Sequence, residues 1–295
     1  MIDLHMHTNH SDGTDSVQEL LKNAENKKLE IISITDHDGV GAYFELETNP
    51  ELRKLFSGKI IVGSELKSCF DKIPIEILAY GVDYKTLKND NVDMVEMQNE
   101  ILERLKSIAN SIGLKYDEEN TYIDRKDPSR QFAGFVLGTE LLKHDENKGI
   151  ISRIGGFIPT TFFRVHQSNK ESIFYIDESN YYMDIQNTIR NIHEAGGLAF
   201  LAHCYEYPFK KHEETIEEIF RTTDIDGIEA IYPTFSEEQR KNVINLARKY
   251  NKYVSGGTDY HAKNKPYIDL GTGIENNMCI EQSLIKDWVD KVKMI

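Results

Sequence analysis

The sequence predicts an α/β chain, barrel-like or open-sheeted, and three observations lead there. Short β-branched runs alternate with amphipathic helical segments near both ends of the chain. Those runs end in polar clusters: His5 and His7, His37, Glu65, His203, and Asp259 with His261. Parallel α/β folds keep their chemistry at the carboxyl ends of strands. The length of 295 residues suits one large domain, or one domain with a substantial insertion.

Taken in order, residues 1–7 read as a strand, and 16–28 as a helix. Val17, Leu20, Leu21 and Ala24 fall on one helical face, with Ser16 as N-cap and Glu19 three residues on. EIISIT at 30–35 is the next strand, 43–56 suits a helix, and 59–65 and 73–80 are strands. The middle differs. Residues 91–111 and 129–144 read as amphipathic helices, the second with Phe132, Phe135, Val136 and Leu137 as core candidates. IISRIGGFIPTTFFRV follows, aromatic and without strand alternation. We expect 92–182 to form an inserted, mainly helical lid, and 1–91 with 183–295 to form the main domain.

Alternation then resumes. A helix at 183–194 stops at Ala195-Gly196-Gly197, and LAFLA at 198–202 is a strand ending at His203. Helices at 213–221 and 236–250 flank a strand at 227–231, and a strand at 253–255 ends in GGTDYH. Trp288 is expected as core on a final helix, and His144, His193 and His212 as surface or capping residues.

With 35 basic against 49 acidic residues, the net charge is −14. That excludes a passive electrostatic grip on long duplex nucleic acid. It leaves room for a small phosphorylated substrate held by metals and a few local cations. Cys69, Cys204 and Cys279 are too few and too scattered for a disulfide framework or a thiolate zinc site. A reducing, cytoplasmic setting is expected, with no membrane span and no signal segment.

The polar clusters carry the chemistry. His5 and His7, two apart on a strand, point the same way and can reach one ion; a chance surface pair is the alternative. Five such clusters at separate strand ends are hard to explain by packing, because buried imidazoles and carboxylates need partners. This donor set suits zinc, manganese or iron. Asp12 can join it, or can simply form the turn before Gly13.

HxHTxxSDG, TDHDG, GxE, the AGG run leading to AH, and GTDYH occur in this order. Together they resemble the PHP family of metal-dependent phosphoesterases, in the branch acting on nucleotide phosphates and short oligonucleotides. The resemblance implies a distorted (β/α)7 barrel with a helical insertion, and two or three divalent ions (manganese, iron or zinc). It implies that His5 and His7 share one ion with Glu65 and Asp259. Glu65 then bridges to a second ion on His203, and Asp12, His37 and His261 hold a third. A phosphate ester would be hydrolysed by water activated between ions, with Asp259, His261 and Arg130 as the catalytic set. The substrate would be a nucleotide or a short single-stranded oligonucleotide.

Two departures stand out. Glu76 occupies a place where the family carries histidine; as a ligand it favours a harder metal, and the alternative is that it faces solvent and the second ion is weak or absent. Pro128-Ser129-Arg130-Gln131 replaces an Arg-Pro-His-like run, leaving Arg130 and Gln131, with His10, as substrate-binding candidates. Competing readings are a small-metabolite phosphatase, such as one for histidinol phosphate, an amide or lactone hydrolase, and a non-catalytic metal-binding protein.

Overall fold

The computed structural model describes residues 1–88, 94–124 and 127–295. The chain is α/β. Its elements run β1 (Ile2–Asp3), α1 (Val17–Asn26), β2 (Ile31–Ile32), α2 (Gly41–Thr48), α3 (Pro50–Arg53), β3 (Lys59–Ile60), β4 (Gly63–Phe70) and β5 (Ile73–Tyr80). Then come α4 (Met94–Ser111), α5 (Ala133–Leu141), α6 (Lys148–Arg153), α7 (Ile185–Glu194), β6 (Leu198–Leu201), α8 (His212–Thr222), β7 (Gly227–Ile231), α9 (Glu237–Lys249) and β8 (Tyr253–Gly256). No helix among the described residues is long and apolar enough to cross a membrane.

Local chemistry sets the helix starts. Ser16 and Glu19 form the capping box of α1, and Val17, Leu20, Leu21 and Ala24 are its buried face. Ser236 and Gln239 do the same for α9. Asp184 caps α7 by accepting from the Gln186 and Asn187 N–H groups.

The strands fall into two sheets. β1, β2 and β3 form a parallel sheet, and β4-β5-β6-β7-β8 form a second. β5 is antiparallel to both neighbours, and β6, β7 and β8 are parallel. The ladders do not close into the expected (β/α)7 barrel. Two isolated bridges, Met6 to Tyr260 and His37 to Glu65, tie the sheets at their edges. Both fall where the polar clusters stand.

Several expected elements are shorter or broken. The strands expected at 1–7 and 30–35 keep only two-residue ladders, β1 and β2. The helix expected at 43–56 stops at Asn49, because Pro50 cannot donate the next helical bond and starts α3 instead. The run at 59–65 splits into β3 and β4, and β4 continues to Phe70, where Asp71 and Lys72, both at positive φ, turn into β5.

Residues 94–182 carry helices and turns, with no strand among the described residues. They bury their own cluster, which includes Ile101, Leu105, Leu137, Phe162 and Phe174. The expected boundary at 91/92, and the start of the helix at 91, lie outside the described residues. The expected helix at 129–144 begins only at Ala133, because Phe132 is extended. Phe132 is consequently 42% exposed, whereas Val136 and Leu137 are buried. Trp288 is core: it donates to the Val254 carbonyl and stacks on Tyr80. It stands between two 3₁₀ turns, not on an α-helix. The segment is too short to repay helix nucleation.

Candidate metal centre

The extended chain after β1 carries His5 and His7, both fully buried. The His7 N–H donates to the Tyr260 carbonyl (2.9 Å), and the Asp259 N–H to the His5 carbonyl (2.8 Å). This approach needs glycine at 257, where a Cβ would stand 2.4 Å from the His5 nitrogen. Gly13 has the same role: a Cβ there would meet the His7 carbonyl at 2.4 Å. The bridge between His37 and Glu65 sets those two side by side.

Glu65 is the hub. Its Oε2 lies 3.1 Å from His5 Nε2, 3.3 Å from His7 Nε2 and 3.3 Å from His37 Nδ1. Its Oε1 is 2.9 Å from His203 Nε2. Asp259 Oδ1 stands 3.2 Å from His7 Nε2, and Glu76 reaches His37 (3.4 Å) and His203 (3.3 Å). Asp12 lies 3.0 Å from His261 Nε2 and 3.7 Å from His37 Nε2.

Three overlapping donor groups result: His5, His7, Glu65 and Asp259; His37, Glu65 and Glu76; and His7, Asp12, His37 and His261. The donor atoms within each lie within 4.8 Å of one another. His203 joins the second through Glu65 and Glu76. All nine expected ligands therefore meet in one place. His7 Nε2, Asp12 Oδ1 and His37 Nδ1 are buried at ion-pair distance from other cluster atoms but make no well-formed hydrogen bond. Burying such atoms unsatisfied is costly, and cation ligation is the chemistry that this donor set fits.

Neighbours that the sequence did not single out orient these ligands. Glu229 accepts from His5 Nδ1 (3.0 Å) and from the His203 N–H (2.9 Å). With its Nδ1 proton held there, His5 turns the Nε2 lone pair inward. His261 Nδ1 donates to the Asp259 carbonyl (2.8 Å), which likewise frees Nε2. Asp259 sits at φ 55°, a region a non-glycine residue rarely adopts. Tyr232 Oη (2.7 Å) and Lys265 Nζ (2.5 Å) hold its Oδ2. Asp3 accepts from the Thr258 N–H (2.9 Å) and hydroxyl (2.6 Å) and the Gly271 N–H (2.8 Å), anchoring the loop that carries Asp259. A charged residue inside the apolar run GIEAI is the one signal that could have exposed Glu229; Lys265 leaves none.

Protonation follows the crowding. Burial pulls His5 down, but Glu65, Glu229 and Asp259 outweigh it and hold the imidazole well above its ordinary range. The same contest lifts His7 to about 9, through Asp259 and Glu65, and His203 to about 10, through Glu65 and Glu76. Burial raises Glu65, yet His5 and His37 hold it well below the usual carboxylate range; Lys265 and His261 do so for Asp259.

A cavity of about 270 Å³ opens beside Asp12 and His37. His10, Gln131, Lys67, Phe132 and Tyr182 also line it. His10 Nε2 pairs with Glu45 at 2.7 Å. The structure does not bring Arg130 to this wall. Its guanidinium donates to the Asn120 carbonyl (2.7 Å) and lies 4.0 Å over the Tyr122 ring, interactions that hold it within the helical segment. Asp36 accepts from the Thr8 N–H and hydroxyl and from the Ser11 hydroxyl. His144 is half-buried against Glu140, not a free surface group.

The sequence pattern of the PHP domain matches residues 3–256. The chain belongs to the PHP domain family. Among curated relatives of this PHP domain is a 5′-3′ exoribonuclease of Haemophilus influenzae, 25% identical, covering 97% of each chain. Another is a phosphoribosyl 1,2-cyclic phosphate 1,2-diphosphodiesterase of Eggerthella lenta, 26% identical over 88% of this chain and 94% of the relative. A third is a 3′,5′-nucleoside bisphosphate phosphatase of Chromobacterium violaceum, 21% identical over 92% of this chain and 90% of the relative. In fold, the PHP domain resembles an amidohydrolase of Chromobacterium violaceum, with TM-score 0.61 and 20% identity over 97% of this chain and 96% of that one. The PHP domain described here is an enzyme of the phosphoric ester hydrolase class.

Proposed function

We propose that this PHP domain hydrolyses a phosphate ester of a nucleotide or short oligonucleotide, using two or three divalent ions held by His5, His7, Asp12, His37, Glu65, Glu76, His203, Asp259 and His261. The observation that carries this is one carboxylate, Glu65, within 3.3 Å of four imidazoles, beside the cleft that His37 and Asp12 line. Bound ions would acidify a water and neutralise phosphoryl oxygens. The carboxylate-rich set, with Glu76 added, favours manganese or iron over zinc.

The protein's own groups do the positioning. Glu229 and the Asp259 carbonyl fix two imidazole tautomers, and Tyr232 and Lys265 fix Asp259. Asp259 and His261 act in this reading as ligands, not as proton donors. The supporting frame reads as an opened variant of a distorted (β/α)7 barrel, its two unclosed sheets tied by the bridges at Tyr260 and Glu65. Residues 94–182 serve as a lid, presenting Met94, Gln131, Phe132 and Tyr182 to the cleft. The sequence relatives named above act on nucleotide, ribose-phosphate or RNA esters, which supports this substrate class. The three free cysteines suit a reducing cytoplasm.

The test is a substrate panel on manganese-loaded protein: a nucleoside 3′,5′-bisphosphate, a 5′-phosphorylated short RNA, and histidinol phosphate. Phosphate or nucleotide release from either of the first two is expected, with loss of at least about 100-fold in Asp259→Asn at unchanged fold. Turnover of histidinol phosphate alone would overturn the substrate class.

A further inference from the structure

The expected phosphate-gripping cation, Arg130, is committed elsewhere, and the cleft has another. Lys67 lies on β4 two residues beyond Glu65, so both side chains leave the same face of the sheet. Its antiparallel partner is Glu76, which also faces the cluster. Lys67 lines the cavity that begins at Asp12 and His37.

This cation is held, and its nearest carboxylate neighbour is distant. Its backbone N–H donates to Asp38 Oδ1 (2.8 Å), which fixes the residue without using the ammonium. Among the described residues the nearest carboxylate oxygen to Nζ is Asp38 Oδ2, at 4.0 Å. The other neighbours of Nζ are the Met94 sulfur at 3.9 Å and the Phe132 ring, whose centroid is 5.9 Å away. The Lys67 side chain is only 18% exposed. A largely buried ammonium beside a soft sulfur and over an aromatic ring of the lid retains donors for a ligand. Phe132, 42% exposed, and Tyr182 line the same cavity and give flat surfaces beside it.

Resting on the phosphoesterase reading above, we propose that Lys67 is the phosphate-binding cation of this cleft, gripping a substrate phosphate between the metal cluster and the lid wall of Phe132 and Tyr182. The cluster supplies charge at one end of the cavity; Lys67 supplies it at the lid side. The ligand class is a phosphorylated nucleotide, anchored by the ammonium and covered by an aromatic face.

The experiment compares wild type, Lys67→Met and Lys67→Arg, each loaded with manganese and checked for equal metal content and melting temperature. Calorimetric titration with inorganic phosphate is expected to weaken about 10- to 100-fold in Lys67→Met and to stay near wild type in Lys67→Arg. KM should rise by a similar factor with little change in kcat. If this occurs with both 4-nitrophenyl phosphate and a nucleoside bisphosphate, Lys67 grips the scissile phosphate. If only the bisphosphate is affected, it grips the second one. Phosphate affinity and KM unchanged in Lys67→Met would overturn the proposal while leaving the phosphoesterase reading intact. An inactive wild type with normal phosphate binding would instead remove that reading.

Discussion

At the scale of single residues, Glu229 is the most informative side chain. It is fully buried and touches no substrate-facing surface, yet it fixes both His5 and the backbone at His203. Removing such a carboxylate from behind a ligand imidazole weakens ion binding about 10- to 100-fold. Glu229→Gln should show that loss in competition with a chelator while its circular dichroism stays that of wild type; full retention of affinity would refute the orienting role. Asp3 is the structural counterpart. Asp3→Ala strands the Thr258 and Gly271 N–H groups, and unfolding in denaturant should fall by roughly 2–4 kcal/mol. His5, His7, His37, His203, Asp259 and His261 were legible because they follow strands; Glu65, expected at a strand end, and Glu76 stand inside β4 and β5. Lys67 and Arg130 were not legible. Which cation meets the cavity depends on the register of β4 with β5 and on the extended backbone at Phe132.

At the scale of elements, the helices were read well where capping and periodicity agree, as in α1 and α9. They were misread where a proline or an extended residue interrupts an apolar pattern, as at Pro50 and Phe132. Sheet closure was the hardest feature, since two-residue ladders leave almost no pattern in the sequence. The end of α1 offers a clean test. Lys28 sits at φ 55° just past the C-cap, where glycine is unstrained. Lys28→Gly should raise stability by about 0.5–1 kcal/mol, read as a shifted denaturant midpoint at constant slope. A lower midpoint would mean that the Lys28 side chain, not its backbone, matters there.

At the scale of the whole molecule, protons and the proposed ions would compete for the same nitrogens. His7 and His203, lifted to about 9 and about 10, hold protons at pH 7 in the ion-free protein. An arriving ion must displace them. The sign follows: apparent affinity rises with pH from 7 towards 9, by up to about tenfold per unit for each proton released, and flattens above those values. Chelator competition at pH 6, 7, 8 and 9 measures it, and a flat profile would show that the imidazoles are already neutral. These two residues also stabilise the ion-free fold below about pH 6.5 through their charged pairs, and that contribution is lost as pH rises through 9 to 10. Ion binding should therefore raise the melting temperature more at pH 8.5 than at pH 6.5.

The seam between the two ends of the chain has a consequence for biosynthesis. His5 pairs with Glu229 across 224 positions, and Asp3 with Thr258 across 255. A growing polypeptide exposes its first two imidazoles long before their carboxylate partners exist. Until residues 256–261 have left the ribosome, His5 and His7 can offer at most a weak, open pair of donors to passing ions. Assembly of the proposed centre would thus wait until Asp259 and His261 have been made, and a chain truncated before Asp259 should lack a working centre.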